Sequence, residues 1–139
     1  MSEEEHENLI LEKKGVKPTA NRILTLRTIM AKTCPVSLPE LETTLYPMDK
    51  SSIFRVLNVF VKHHVVHAIE DGSGILKYEF CSGEDGCSLK DMHVHFHCES
   101  CGETFCFKAI HIPEIQMPEG FEIDSVNYTV KGLCPKCRK

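Results

Sequence analysis

No stretch of this chain approaches the roughly 20 consecutive apolar residues that a membrane span requires. It has no internal repeat, and its first residues, Met1-Ser2-Glu3-Glu4-Glu5, lack the basic-then-apolar plan of an export signal. These absences predict a cytoplasmic protein without membrane contact, whose cysteines stay reduced. Two enzyme classes lack their marks as well. A zinc deaminase needs His-x-Glu and Pro-Cys-x-x-Cys, with glutamate as the proton shuttle. Here His93-Val94-His95 and Leu133-Cys134 stand in those places. A thiol redox enzyme wants a Cys-x-x-Cys pair in a βαβ context, and neither pair here has one. The chain is therefore not read as an enzyme.

What it does have is metal ligands. Cys98-Glu99-Ser100-Cys101 is answered near the C-terminal end by Cys134-Pro135-Lys136-Cys137. The short loop of each pair aims both sulfurs at one point, and four thiolates in tetrahedral array are the preferred structural site of Zn²⁺. Eight cysteines allow four disulfides in principle, but the paired grouping and the reducing compartment favour metal. His93 and His95 alternate just ahead of this set and cannot enter its filled shell, which points to a second metal. With 139 residues, 42% of them apolar, the chain is one domain or two small ones. A structural zinc supplies what a small second core lacks.

Charge divides the chain. Residues 8–70 hold nine Lys and Arg against five Asp and Glu, whereas residues 81–139 hold six against nine. A basic front and a cysteine-rich, acidic back suggest one electrostatic and one metal-based function, with an ordinary mixed surface as the alternative. In the front half, Asn8 to Lys14 reads as a short helix stopped by Gly15. Thr19 caps a second, with Ile23, Leu26, Ile29 and Met30 at helical spacing. Ser37-Leu38-Pro39-Glu40 starts a third as a capping box with proline in its first turn; Leu38, Leu41 and Leu45 form its apolar face. Asp49 caps a fourth, running to about His63.

That fourth helix carries Ile53, Val56, Leu57, Phe60 and Val61 at i, i+3, i+4, i+7, i+8, a buried stripe. Beside the stripe lie Ser51, Phe54, Arg55 and Asn58. Edge-of-core packing of Phe54 is one reading. The other is that this face suits a DNA major groove, where apolar atoms meet thymine methyls, Arg meets guanine or phosphate, and Asn meets adenine. Ala68 to Glu70 and Ile75 to Phe80 flank Asp71-Gly72-Ser73-Gly74 as a β-hairpin. Helices followed by a hairpin predict a winged helix-turn-helix.

The expected organisation is a DNA-binding domain at 1–80 with a disordered acidic N-terminus, a hinge at 81–92, and a metal-binding dimerisation domain at 93–139. Strands are expected at 94–98 and 103–107, and in the alternating segment of Val126, Tyr128 and Val130. Pro113 and Pro118 limit any helix between to a turn or two. Strands this few cannot bury two faces, so a second copy is expected to share the sheet. The overall class is α+β.

Asn21-Arg22, Ser52-Ile53-Phe54-Arg55-Val56-Leu57, Tyr78-Glu79, His93-x-His95-x2-Cys98-x2-Cys101-Gly102 and Gly132-x-Cys134-x2-Cys137 together resemble the ferric uptake regulator (Fur) family in order and spacing. The resemblance spans about Lys13 to Cys137. It implies a homodimeric, metal-dependent repressor that binds a palindromic operator in double-stranded DNA, with a winged helix and a small α/β dimerisation domain. DNA contacts are then expected from Ser51, Ser52, Phe54, Arg55 and Asn58, with Lys13, Lys14, Lys17 and Arg22 beside them, the lysines on phosphates. Phe54 stands where the family usually has tyrosine, so one hydroxyl contact is lost.

The family's sensing site uses a carboxylate at the end of the wing, both histidines of His-x-His and a later carboxylate. The matches are Glu79, His93, His95 and Cys106, a thiol replacing the last carboxylate. Cys81 and Cys87 each resemble the cysteine ligand of a type of zinc uptake regulator. Mixed sulfur and nitrogen donors favour Zn²⁺. The leading expectation is thus a zinc-sensing repressor of metal-uptake genes, holding one structural and one regulatory zinc. The alternatives are iron or peroxide sensing, with Fe²⁺ as the regulatory ion, or a zinc-stabilised interaction module that does not bind DNA. A further family site falls on Met92, Val94 and Val126, none of which can bind a hard or borderline cation, so that site is expected to be absent. Cys34, and one or two of Cys81, Cys87 and Cys106, also read as small buried hydrophobes. His6, His63, His64, His67 and His111 read as surface residues, and His97 either shares the face of His93 and His95 or is solvated.

Overall fold

The computed structural model describes residues 2–32, 34–70, 74–81, 93–123 and 126–138. The turn at 71–73, most of the expected hinge with Cys87 and Met92, and the side chain of His93 lie outside the described residues. Helices α1 (Glu3–Lys13) and α2 (Ala20–Met30), strand β1 (Val36–Ser37), helices α3 (Leu38–Thr44) and α4 (Lys50–Lys62), and strands β2 (Val66–Glu70) and β3 (Leu76–Phe80) make up the front half. Strands β4 (His93–Cys98), β5 (Thr104–His111) and β6 (Thr129–Gly132) make up the back. Among the described residues, no helix is long and apolar enough to cross a membrane.

Local chemistry sets the helix starts. Thr19, Ser37 and Asp49 each accept a backbone N–H three residues on, as N-caps do. The acidic N-terminus, expected to be disordered, is instead the first turn of α1. Ser2 Oγ accepts from the Glu5 N–H and the Glu5 carboxylate accepts from the Ser2 N–H, both at 3.2 Å. That reciprocal box satisfies two otherwise open donors, and negative charge at a helix N-terminus is stabilising. Further along α1, buried Glu7 takes a bidentate contact from Arg27 of α2 at 2.8 and 3.0 Å.

One apolar core joins these helices to the first sheet. It gathers Leu11, Val16, Leu26, Ile29, Leu41, the α4 stripe Ile53, Val56, Leu57 and Phe60, and Val36, Val65, Val66 and Tyr78. Val61, expected to complete the stripe, is 36% exposed at the end of α4. The first sheet has the order β1-β3-β2, all antiparallel. Strand β1 was not foreseen. At two residues it has no periodicity of its own, and it exists because Val36 and Ser37 pair with Tyr78 and Lys77.

The second sheet has the order β5-β4-β6, with β4–β5 antiparallel and β4–β6 parallel. Strand β5 runs four residues beyond the expected segment, to His111, while β6 is confined to Thr129–Gly132. Between them the described residues form no helix. The two sheets touch: Asn127 Nδ2 and Thr129 Oγ1 donate to the Glu70 carbonyl at 2.7 and 3.2 Å.

Candidate metal centres and nucleic-acid interface

Cys98 ends β4 and Cys101 follows in a turn closed by the Gly102 N–H on the Cys98 carbonyl at 2.9 Å. Gly102 sits at φ 79°, where other residues are strained. The parallel register pairs Cys98 with Gly132, so the chain leaving β6 delivers Cys134 and Cys137 beside the first pair. Gly132 gives the Phe96 ring room there, because a Cβ would lie a tight 3.1 Å from it. The four sulfurs all lie within 4.8 Å of one another, and Cys101 and Cys134 are 3.8 Å apart. A tetrahedral ion with Zn–S bonds of about 2.3 Å sets its sulfurs about 3.8 Å apart, so the cluster fits zinc.

The electrostatics agree with that fit. Backbone N–H groups of Cys101 and Cys134 pull the Cys98 thiol down to about 6. At Cys101 the Glu103 N–H also lowers the value, but the neighbouring Cys98, burial, Cys134 and Cys137 push it up to about 12. The Cys137 thiol is lowered by Ser100 and raised more by Cys134 and Cys98, for a net rise. One thiolate is stabilised by backbone dipoles. Further thiolates at this spacing need a cation among them.

A second cluster lies between the sheets. Glu79 of β3 receives Cys106 Sγ on Oε1 at 2.9 Å and His95 Nε2 on Oε2 at 2.7 Å. His95 and Cys106 face each other across β4 and β5. All three donor atoms lie within 4.8 Å of one another, and Glu79 and His95 are buried. An N–H and an S–H thus converge on one carboxylate. The same oxygen, nitrogen and sulfur suit a divalent cation once those protons leave, as metal binding requires.

The other expected ligands part company here. Cys81 is buried, next in chain after β3, and is disulfide-bonded. The expectation that it is a reduced ligand is corrected for this state: a disulfide sulfur is not a thiolate donor. Cys87 and the His93 side chain lie outside the described residues. Cys34, read as a small buried hydrophobe, is exposed. Solvated His97 is also corrected: it is buried, with Nδ1 3.2 Å from Thr104 Oγ1. Thr104 in turn accepts from Lys77 Nζ at 2.8 Å. Sequence reasoning missed Lys77 and Thr104, since an alternating strand places Lys77 on what reads as a solvent face.

On α4, the core takes one side and leaves Ser51, Phe54, Arg55 and Asn58 exposed on the other, with Ser52 half-buried between. Phe54 is 47% exposed and stands outside the helical core, which weighs against the edge-of-core alternative. Arg55 Nη2 reaches Ser52 Oγ at 3.4 Å. Lys13 and Lys17 are exposed and Lys14 is half-buried. Arg22 Nη1 donates to the Lys17 carbonyl at 2.8 Å, bracing the turn before α2. His63, half-buried, donates Nδ1–H to the Lys14 carbonyl at 3.1 Å.

Helices presenting an exposed polar face, joined to a small sheet with a four-cysteine cluster and a mixed-donor cluster at the junction, suit a metal-responsive DNA-binding regulator. The chain belongs to the Ferric uptake regulator family, whose sequence profile matches residues 13–130. That match ends before Cys134 and Cys137, which are placed by the β4–β6 register. The fold is similar to that of the Helicobacter pylori ferric uptake regulator (18% identity, TM-score 0.67, covering 97% of this chain and 91% of that one). It is also similar to the ferric uptake regulator of Pseudomonas aeruginosa with manganese (22% identity, TM-score 0.65, 94% and 98%). A third is a zinc uptake regulator complexed with zinc and DNA (17% identity, TM-score 0.63, 99% and 95%). No curated protein sequence matches the chain.

Proposed function

We propose that this family member is a zinc-responsive repressor that binds a palindromic operator as a homodimer. The sensing site in this reading is Glu79, His95 and Cys106, completed by His93. The observation that carries it is the makeup and place of that cluster. One ligand comes from the first sheet and two from the second, and the set includes imidazole and thiol. Soft donors of this kind favour Zn²⁺ over Fe²⁺ or Mn²⁺. A bound divalent cation supplies a cross-link between the two sheets.

Glu79 positions the hairpin, and His95 and Cys106 fix the second sheet against it. The arrangement that holds all three ligands together is then favoured when the ion binds, and DNA affinity rises reciprocally if that arrangement suits the operator. Apolar side chains exposed along β5, β6 and the segments beside them, Phe107, Ile110, Phe121, Tyr128 and Val130 among them, support a second copy covering the back half. The exposed face of α4 supports base contacts by Phe54, Arg55 and Asn58, with Lys13, Lys14 and Lys17 on phosphates.

The test is operator binding of the protein with its four-cysteine zinc in place, titrated separately with Zn(II), Fe(II) and Mn(II). Zn(II) should stimulate binding most, and His93→Ala with His95→Ala should abolish that stimulation while leaving one zinc per chain. Stimulation by Fe(II) alone would move the assignment to iron. A double variant that still responds to Zn(II) would remove these histidines from the sensor.

A further inference from the structure

Beside the Glu79 cluster lies a second set of buried polar groups drawn from the same three strands. On β3, Tyr78 enters the helical core and Phe80 packs against it, so Lys77 and Glu79 point the other way. There the second sheet covers them: Lys77 is 9% exposed and Glu79 8%. Across β4 and β5 the register pairs His95 with Cys106 and His97 with Thr104. Two rungs are therefore stacked along the junction. Glu79 meets His95 and Cys106 in one, and Lys77 meets Thr104, which in turn meets His97, in the other.

The chemistry of the rungs differs. The first offers acceptor atoms that a divalent ion can take. In the second, an ammonium with donors only holds Thr104 Oγ1 at 2.8 Å. The hydroxyl proton is then free to point at His97 Nδ1, 3.2 Å away, giving one direction from lysine through threonine to histidine. Buried charge is tolerated only where it is so engaged.

We infer that Lys77 is a positioning residue whose contact with Thr104, itself bonded to His97, latches β3 to the second sheet without metal, and so sets the zinc level at which the neighbouring cluster fills. This rests on the sensing reading given above. Before any ion binds, the latch raises the fraction of molecules whose ligands are already gathered. Apparent affinity scales with that fraction.

The experiment uses the full chain with its four-cysteine zinc retained. Zn(II), buffered by a competing chelator, is titrated into the second site, and small-angle scattering is recorded before that addition. Lys77→Met and Thr104→Val should each require roughly tenfold more free Zn(II) and enlarge the radius of gyration, as expected for loss of one charge-assisted hydrogen bond. Thr104→Ser, which keeps the hydroxyl, should restore both readouts. The Lys77→Met, Thr104→Val double variant should be no worse than either single change, because the two act as one contact.

Tighter Zn(II) binding in Lys77→Met would overturn the latch and make Lys77 a repulsive neighbour of the ion. Unchanged affinity and size would overturn it as well. Glu79→Gln is the control for the underlying reading. If it leaves second-site affinity intact, the sensing site is wrong and the latch's role falls with it. If it weakens binding while Lys77→Met does not, only the latch is wrong.

Discussion

The two halves of this molecule are held together by different physics. In the front half, Leu26, Leu41, Ile53, Leu57 and Phe60 are fully or almost fully buried, and aliphatic and aromatic atoms fill the space between α1, α2, α3, α4 and the first sheet. Among the described residues of the back half, the buried ones are largely His95, His97, Thr104, Cys98 and Cys134, with Val94 and Ile112 the apolar exceptions. Phe96 meets Phe105 and Phe107 at centroid distances of 6.5 and 6.3 Å, but Phe107 stays 39% exposed. Burial of apolar area drives the first half to fold. The second exposes much of its apolar surface and gathers sulfur instead, in a cluster that fits a zinc ion.

The strongest way to break this contrast is to remove the four-cysteine zinc. Ligation by such a cluster is worth on the order of 10 kcal/mol or more in small zinc domains. Cys101→Ser, or a strong chelator, should expose the amides of β4, β5 and β6 to hydrogen exchange while those of α2 and α4 stay protected. A Cys101→Ser protein with full zinc content and slow exchange in β4 would end the distinction.

The converse change comes next in size. Phe60 is 0% exposed at the centre of the helical core, and Phe→Ala at such sites costs about 3–5 kcal/mol. Phe60→Ala should lower the unfolding midpoint of the helices in urea while zinc per chain is unchanged. Zinc loss in step with helix unfolding would show one cooperative unit rather than two.

Differences in what could be read from the sequence follow the same division. The caps at Thr19, Ser37 and Asp49 and the stripe on α4 were legible because their causes lie within a few residues. The four-cysteine cluster was legible because two short loops carry most of its geometry. Strand β1 was not, since two residues become a strand only by pairing with β3. Lys77 and His97 were not either: strand alternation says which side a residue faces, and only tertiary covering says whether that side is wet. The Ser2–Glu5 box was local and readable, but the acidic run masked it. Cys106 entered through family resemblance, and its contact with Glu79 depends on two sheets meeting.

A smaller effect should separate the exposed face of α4 from its buried one. Arg55 is exposed and contacts Ser52, so Arg55→Ala should leave the urea midpoint nearly unchanged. Operator affinity should fall by about 1–3 kcal/mol, with relaxed discrimination at one base pair if it contacts a base. Lys17→Ala should instead weaken all sequences alike and reduce the salt slope by about one. Unchanged operator affinity in folded Arg55→Ala would take this face out of the interface.

The smallest effect concerns the start of the same helix. Asp49 caps α4, accepting the Ser52 N–H at 2.8 Å. The Ser52 side chain and then its N–H hold the carboxyl below its usual 3.8, with Arg55 adding a lesser attraction. A carboxyl lowered by folding stabilises the folded chain wherever it is ionised. That contribution is therefore complete above the ordinary carboxyl range and is lost as pH falls through the depressed value. Asp49→Asn keeps an oxygen that can cap but carries no charge. Thermal melts of the two proteins should differ slightly at neutral pH, with the wild type higher, and converge in acid once pH has fallen through the depressed value. Zinc content at neutral pH should be the same in both, because Asp49 belongs to the half that apolar packing holds. A gap that widens as pH falls would mean that the charge opposes folding, and the cap would then be acting through its shape alone.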